Sequence, residues 1–113
     1  MEKKILFYGM TKEKMCFNHI LLNALDLSEA GFEVKIIFEG GSVTLVENFE
    51  KENTGPYKKV KEKGLIAGIC FACSKALGVL EANEKSGLPL LNDMMGHAGI
   101  KKYAEEGYEI ISM

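Results

Sequence analysis

The stretch KILFYGMTKEKMCFNHILLNALDLSEAGFEVKIIF, Lys4 to Phe38, decides the fold. Its two ends, Lys4 to Tyr8 and Glu33 to Phe38, read as short buried strands, because β-branched and aromatic residues dominate each run and Gly or polar residues bound it. Between them, Met15 to Ala30 carries Phe17, Ile20, Leu21, Ala24 and Leu27 at helical spacing, and Gly31 stands where a C-terminal cap would sit. Strand, helix and strand make a βαβ unit.

Working outward, Ser42 to Glu52 reads as a second helix with Ser42 as its N-cap, and Asn53-Thr54-Gly55-Pro56 as a turn. Tyr57 to Lys63 is a short basic helix stopped by Gly64, and Leu65 to Cys70 a third strand. Ser74 to Lys85 reads as one helix with Gly78 inside it, Leu88 to Leu91 as a very short strand, Gly99 to Glu106 as a helix, and Tyr108 to Ser112 as a closing strand. Continuous apolar strands alternating with helices predict an α/β fold, a parallel sheet covered on both sides.

A chain of 113 residues, 47% hydrophobic and 27% charged, is one domain spanning 1–113, with a core large enough to need neither metal nor disulfide. The net charge of −2 leaves no basic face for a phosphate backbone, so nucleic acid is not an expected partner. Apolar runs such as Leu65 to Ile69 fall far short of the roughly 20 residues of a bilayer span. Met1-Glu2-Lys3-Lys4 leads straight into a strand without the pattern of a secretory signal. Three cysteines, an odd number without framework spacing, suit a reducing compartment. A cytoplasmic protein is expected.

Sites in open parallel sheets gather beyond the carboxyl ends of the strands, which directs attention to the residues after Tyr8, Phe38, Cys70 and Leu91. Gly9 to Lys14 lacks a phosphate-cradling pattern. Gly40-Gly41-Ser42 could hold an anion on helix N–H groups, although a tight glycine turn is the plainer reading. The most informative stretch is Cys70-Phe71-Ala72-Cys73-Ser74-Lys75, with one thiol ending a strand and another opening a helix. Orphan N–H groups there favour thiolate, Lys75 could add a cation, and the competing reading is a small buried core residue. Cys70 is therefore expected to be partly accessible, with a lowered pKa. His97, in the glycine-bracketed loop after the fourth strand, could shuttle a proton beside Cys70.

A Cys ending the third strand of a small α/β chain, with Gly78-Val79 eight residues on, resembles the DsrE/DsrF-like (DsrEFH-like) family of sulfur-handling proteins. The early amphipathic helix, Gly31-Phe32-Glu33-Val34, Gly40-Gly41-Ser42-Val43 and Gly107-Tyr108-Glu109-Ile110-Ile111 extend the resemblance over most of the chain. It implies a flavodoxin-like three-layer α/β/α fold with strand order 4-3-2-1-5, and Cys70 as the acceptor of a sulfane sulfur passed to a partner protein in sulfur transfer. Cys73 is an additional thiol that could resolve a persulfide on Cys70.

Two alternatives stand beside this reading. One is a non-catalytic module binding a small anion or nucleotide at the strand carboxyl edge. The other is a zinc site made by Cys16-x-x-His19 on the first helix and Cys70-x-x-Cys73, four residues of the right ligand types. No cofactor is expected under the sulfur reading. Met15, Leu22 and Leu25 lie outside the main stripe of the first helix, which points to a second covered surface and hence a homo-oligomer.

Overall fold

Strand β1 (Lys4–Gly9) pairs in parallel with β2 (Glu33–Phe38), from Lys4 opposite Glu33 to Gly9 opposite Phe38, and α1 (Lys14–Glu29) connects them. This βαβ unit belongs to a computed structural model that describes residues 3–113; Met1 and Glu2, the start of the charged lead into β1, lie outside the described residues. Strands β3 (Ile66–Cys70), β4 (Leu90–Leu91) and β5 (Glu109–Ser112) complete a five-stranded sheet in the order β4-β3-β2-β1-β5. Every pair is parallel, so the fold is α/β with the strand order that the family resemblance implies.

The order fixes where the helices go. Three successive connections step the same way across the sheet, and right-handed crossovers put them on one face. These are α1, then α2 (Val46–Glu52) with α3 (Gly55–Glu62), then α4 (Phe71–Ala76) with α5 (Leu80–Lys85). The return from one edge strand to the other carries α6 (Lys101–Glu105), which serves the opposite face, so that layer is thin. Among the described residues no helix is long and apolar enough to cross a membrane.

The core forms where α1 meets the sheet. Phe17, Ile20, Leu21 and Ala24 are fully buried, and the Phe17 ring stacks on Phe38 with centroids 4.4 Å apart. Gly9 makes room for that ring: a Cβ there would lie 2.5 Å from Phe17 Cε2. Met15 and Leu22 point outward, 77% and 47% exposed, and Leu25 is half-buried, as residues outside the main stripe should be.

Three segments depart from the sequence expectation. The expected helix Ser42 to Glu52 begins as a 3-10 turn, Gly40–Leu45, and becomes α-helical only at Val46. Ser42 is not an N-cap; its buried hydroxyl lies 2.7 Å from Gly9 O and 2.8 Å from Glu39 O, joining the ends of β1 and β2. The expected turn Asn53 to Pro56 already contains the start of α3, with Pro56 in the first turn, where its missing N–H costs nothing. Finally, Ser74 to Lys85 is not one helix. Gly78 takes φ +74°, and the chain breaks there into α4 and α5.

Gly68 lets β4 approach β3. A Cβ at this position would meet Pro89 O at 2.6 Å and Leu91 Cγ at 2.7 Å, and the backbone oxygen cannot swing aside. Gly68→Ala is expected to destabilise the protein by about 1–3 kcal/mol. In urea denaturation the midpoint should fall with an unchanged slope; an unaltered midpoint would show that β4 yields freely.

Candidate active site

Four side chains converge at the carboxyl edge of the central strands, each placed by a different element. Glu39 follows β2, Cys70 ends β3, Cys73 lies in the first turn of α4, and His97 sits in the loop after β4. Glu39 Oε1, Cys70 Sγ, Cys73 Sγ and a ring nitrogen of His97 all lie within 4.8 Å of one another.

Local structure accounts for each position. Cys70 caps α4, its sulfur accepting from Cys73 N–H at 3.4 Å, so the two cysteines of Cys-x-x-Cys turn toward the same point. Ser74 Oγ donates to Cys70 O at 2.7 Å, and Asn83 Nδ2 donates to Ser74 Oγ at 2.9 Å and to Val43 O at 3.1 Å. This fully buried network fixes the start of α4 against α5 and the 3-10 turn.

His97 is held on a two-residue hairpin. Met94 N–H donates to His97 O at 2.8 Å, and His97 N–H to Met94 O at 2.9 Å. Met95 and Gly96 between them take φ +52° and +92°, the left-handed conformations of a tight hairpin turn. Ala72 N–H donates to Gly96 O at 2.8 Å and docks the hairpin on α4. His97 Nδ1 then lies 3.3 Å from Cys70 Sγ, 3.4 Å from Cys73 Sγ and 3.6 Å from Glu39 Oε1.

The electrostatics centre on Glu39, only 5% exposed. Gly40 N–H donates to its Oε1 at 3.0 Å, Cys73 S–H donates to the same oxygen at 2.8 Å, and Tyr8 O–H lies 3.0 Å from Oε2 and 2.8 Å from Ala98 O. Burial alone would raise the Glu39 carboxyl, but these donors outweigh it and hold the group below the ordinary value. The same bond acts oppositely on its partner. Burial, the Glu39 carboxylate and the neighbouring Cys70 push the Cys73 thiol up to about 12. Burial and Glu39 likewise raise the Tyr8 phenol. At neutral pH the site is thus a carboxylate surrounded by protonated donors.

The structure brings Cys70, Cys73 and His97 together, but the exposure of Cys70 differs from the expectation. Cys70, expected to be partly accessible, is fully buried because it lies among β3, α4 and the hairpin; Cys73 is half-buried. Lys75 is exposed on α4 and, among the described residues, forms no ion pair with the cluster. The alternative metal set of Cys16, His19, Cys70 and Cys73 does not form among the described residues. Cys16 and His19 are exposed on α1, outside the buried stripe of Phe17, Ile20, Leu21 and Ala24, and neither joins the cluster.

Gly40 and Gly41 flank the site, but the Gly40 amide is already engaged by Glu39, whose charge opposes an anion there. Tyr8 and Glu39 escaped the sequence reading. The signal was present, since Tyr8 and the residue after Phe38 were marked as strand ends, but a Glu between a strand and Gly-Gly reads as an ordinary polar boundary.

No protein-family model matches the chain. The uncharacterized protein MJ0733 of Methanocaldococcus jannaschii is 40% identical over 98 residues, 84% of this chain and 78% of that protein. Among solved structures, a conserved protein of unknown function, BT1422 from Bacteroides thetaiotaomicron, superposes with a TM-score of 0.76 at 24% identity, over 98% of this chain and 95% of that one. That similarity is one of fold.

The three cysteines should alkylate in a fixed order. In protein kept in chelator at pH 8, exposed Cys16 should react first, Cys73 much more slowly because its thiol is held protonated, and Cys70 only on unfolding. Timed iodoacetamide labelling with peptide mapping measures this. Raising the pH toward 11 should speed Cys73 well beyond the rise of an ordinary thiol, whose pKa is about 8.5. Equal rates at Cys16 and Cys73 at pH 8 would contradict the Glu39 bond.

Proposed function

We propose, for a chain that belongs to the same family as protein MJ0733 of Methanocaldococcus jannaschii, a sulfur-handling role of the DsrE-like kind in which the Cys70–Cys73 pair receives a sulfane sulfur. The observation that carries this reading is a half-open thiol backed by a buried one, both within 3.4 Å of one imidazole nitrogen. Under this reading the receiving role goes to half-buried Cys73, because Cys70 is buried behind it.

Cys73 Sγ attacks the outer sulfur of a donor persulfide or polysulfide. The new Sγ–S bond forms as the donor S–S bond breaks, the donor leaves as a thiolate, and the thiol proton passes to Glu39 Oε1, with which it already bonds. An acceptor thiolate attacking the same outer sulfur reverses the sequence, and Cys73 leaves as a thiolate that takes its proton back from Glu39. Attack by Cys70 on the inner sulfur would instead close a Cys70–Cys73 disulfide and release hydrosulfide. The physiological partner under this reading is another sulfur-transfer protein, in the cytoplasm. Self-association through the exposed Met15 and Leu22 belongs to the same reading, and light scattering should find a mass above that of one chain.

Intact-mass analysis after incubation with a persulfide donor tests the chemistry. A gain of about 32 Da, one sulfur atom, is expected on the wild type and on Cys16→Ser. It should be retained in Cys70→Ser and lost in Cys73→Ser. Label spread equally over all three cysteines would reduce the reaction to unspecific thiol chemistry; label confined to Cys70 in Cys73→Ser would return the receiving role to Cys70.

A further inference from the structure

We infer that Glu39, Cys70, Cys73 and His97 form a binding site for a borderline-soft divalent cation of the zinc class, an inference that shares side chains with the sulfur reading but does not rest on it. Two thiolates, an imidazole and a carboxylate are the donor types that zinc takes in four-coordinate sites. Three of the six distances between ligand atoms are already close to that geometry. A tetrahedron with zinc-type bond lengths has edges of about 3.4–3.8 Å between ligand atoms. The cluster offers 3.3 Å between Cys70 Sγ and His97 Nδ1, 3.4 Å between Cys73 Sγ and His97 Nδ1, and 3.6 Å between His97 Nδ1 and Glu39 Oε1. The edge from Cys73 Sγ to Glu39 Oε1, at 2.8 Å, is short because a thiol proton now lies between them, and the two remaining edges, from Cys70 Sγ to Cys73 Sγ and to Glu39 Oε1, are within 4.8 Å. Replacing that proton by a cation would open the edge by about 0.8 Å.

The surroundings have the features of a supported site. Tyr8 O–H meets the second oxygen of Glu39, Gly40 N–H meets the first, and Cys73 N–H meets Cys70 Sγ, so two of the four ligands, Glu39 and Cys70, have outer partners that hold their orientation. His97, with 45% of its side chain exposed, and half-buried Cys73 leave a path from solvent. The charge balances as well. Binding expels the two thiol protons, and the resulting two thiolates and one carboxylate meet two positive charges, leaving a single net negative charge over the Tyr8 and Gly40 donors. With four protein ligands the site is closed, as in sites that hold an ion and do not activate water.

Cobalt(II) is the probe, because thiolate coordination gives it a sulfur-to-metal charge-transfer band and a tetrahedral field gives it intense visible d–d bands. Titration of the reduced, chelator-treated protein should saturate at one cobalt per chain with both signatures, release about two protons, and be displaced by zinc. Cys16→Ser and His19→Ala should bind as wild type. Cys73→Ser should lose much of the charge-transfer intensity, and His97→Ala, at a half-exposed position that cannot threaten the core, should bind far more weakly. Tyr8→Phe, which touches no ion, should weaken binding by roughly 10- to 100-fold as an outer partner does. Titration without the tetrahedral bands, or bands unchanged in both Cys73→Ser and His97→Ala, would overturn the inference. Persulfide labelling in chelator is scored separately: cobalt binding without labelling removes the sulfur reading alone, and labelling without cobalt binding removes the metal site alone.

Discussion

The carboxylate of Glu39, 5% exposed at the end of β2, carries a charge that is costly to remove from water unless several donors meet it. The donors come from everywhere around it: the phenol of Tyr8 on β1, the amide of Gly40 in the 3-10 turn and the thiol of Cys73 on α4. The His97 hairpin closes the ring at 3.6 Å. One buried charge therefore sets the register of four separate segments at the carboxyl edge, and moving any of them leaves it undersatisfied. Its effect on the chemistry follows directly, because a carboxylate that accepts from a thiol keeps the proton on sulfur.

The backbone beneath this charge is rigid for reasons that have nothing to do with the thiols. Ser42 ties the ends of β1 and β2, and the Asn83–Ser74–Cys70 chain ties α5 to α4 and β3, all from fully buried hydroxyl and amide groups. Such groups leave their partners at a large cost in desolvation. Cysteines mounted on elements fixed in this way hold their mutual position better than cysteines on a loop. The hairpin that carries His97 is the softer part, with Met95 left-handed and 99% exposed at its tip. A methionine in that conformation is strained by about 1–2 kcal/mol, so motion at the site is expected first in this turn.

Much of this was legible in the chain. The βαβ unit was readable because both periodicities are clean, and the strand ends named the right edge of the sheet, with Cys70, Cys73 and His97 all upon it. What failed depends on pairing that no local window contains. Gly78 looked like a tolerated helix glycine, although its φ of +74° makes it a break. Cys16 and His19 had the ligand types for zinc but are exposed on α1, outside its buried stripe, a distinction that the spacing of Phe17, Ile20, Leu21 and Ala24 already contained. Glu39 was hidden for the opposite reason. Its type and position are those of a solvated strand end, and only the fold, by drawing β1, α4 and the hairpin over it, turns it into a buried charge.

Glu39 also decides between the two chemistries that the cluster could support. A persulfide on Cys73 carries its negative charge on the outer sulfur and has no proton to give Glu39, so seating it beside the carboxylate that Sγ now meets at 2.8 Å sets two like charges near one another out of water. A divalent cation in the same space relieves that repulsion and attracts all three anionic ligands. The metal-free cluster is therefore poised for a cation, and sulfur transfer requires the modified Cys73 to turn away from Glu39 or Glu39 to take up a proton. The open side of Cys73, toward solvent and the His97 hairpin, is where the first of these would happen. Conversely, an ion seated on both sulfurs removes their nucleophilic lone pairs from the reach of any donor, so occupancy of the site and acceptance of sulfur exclude one another.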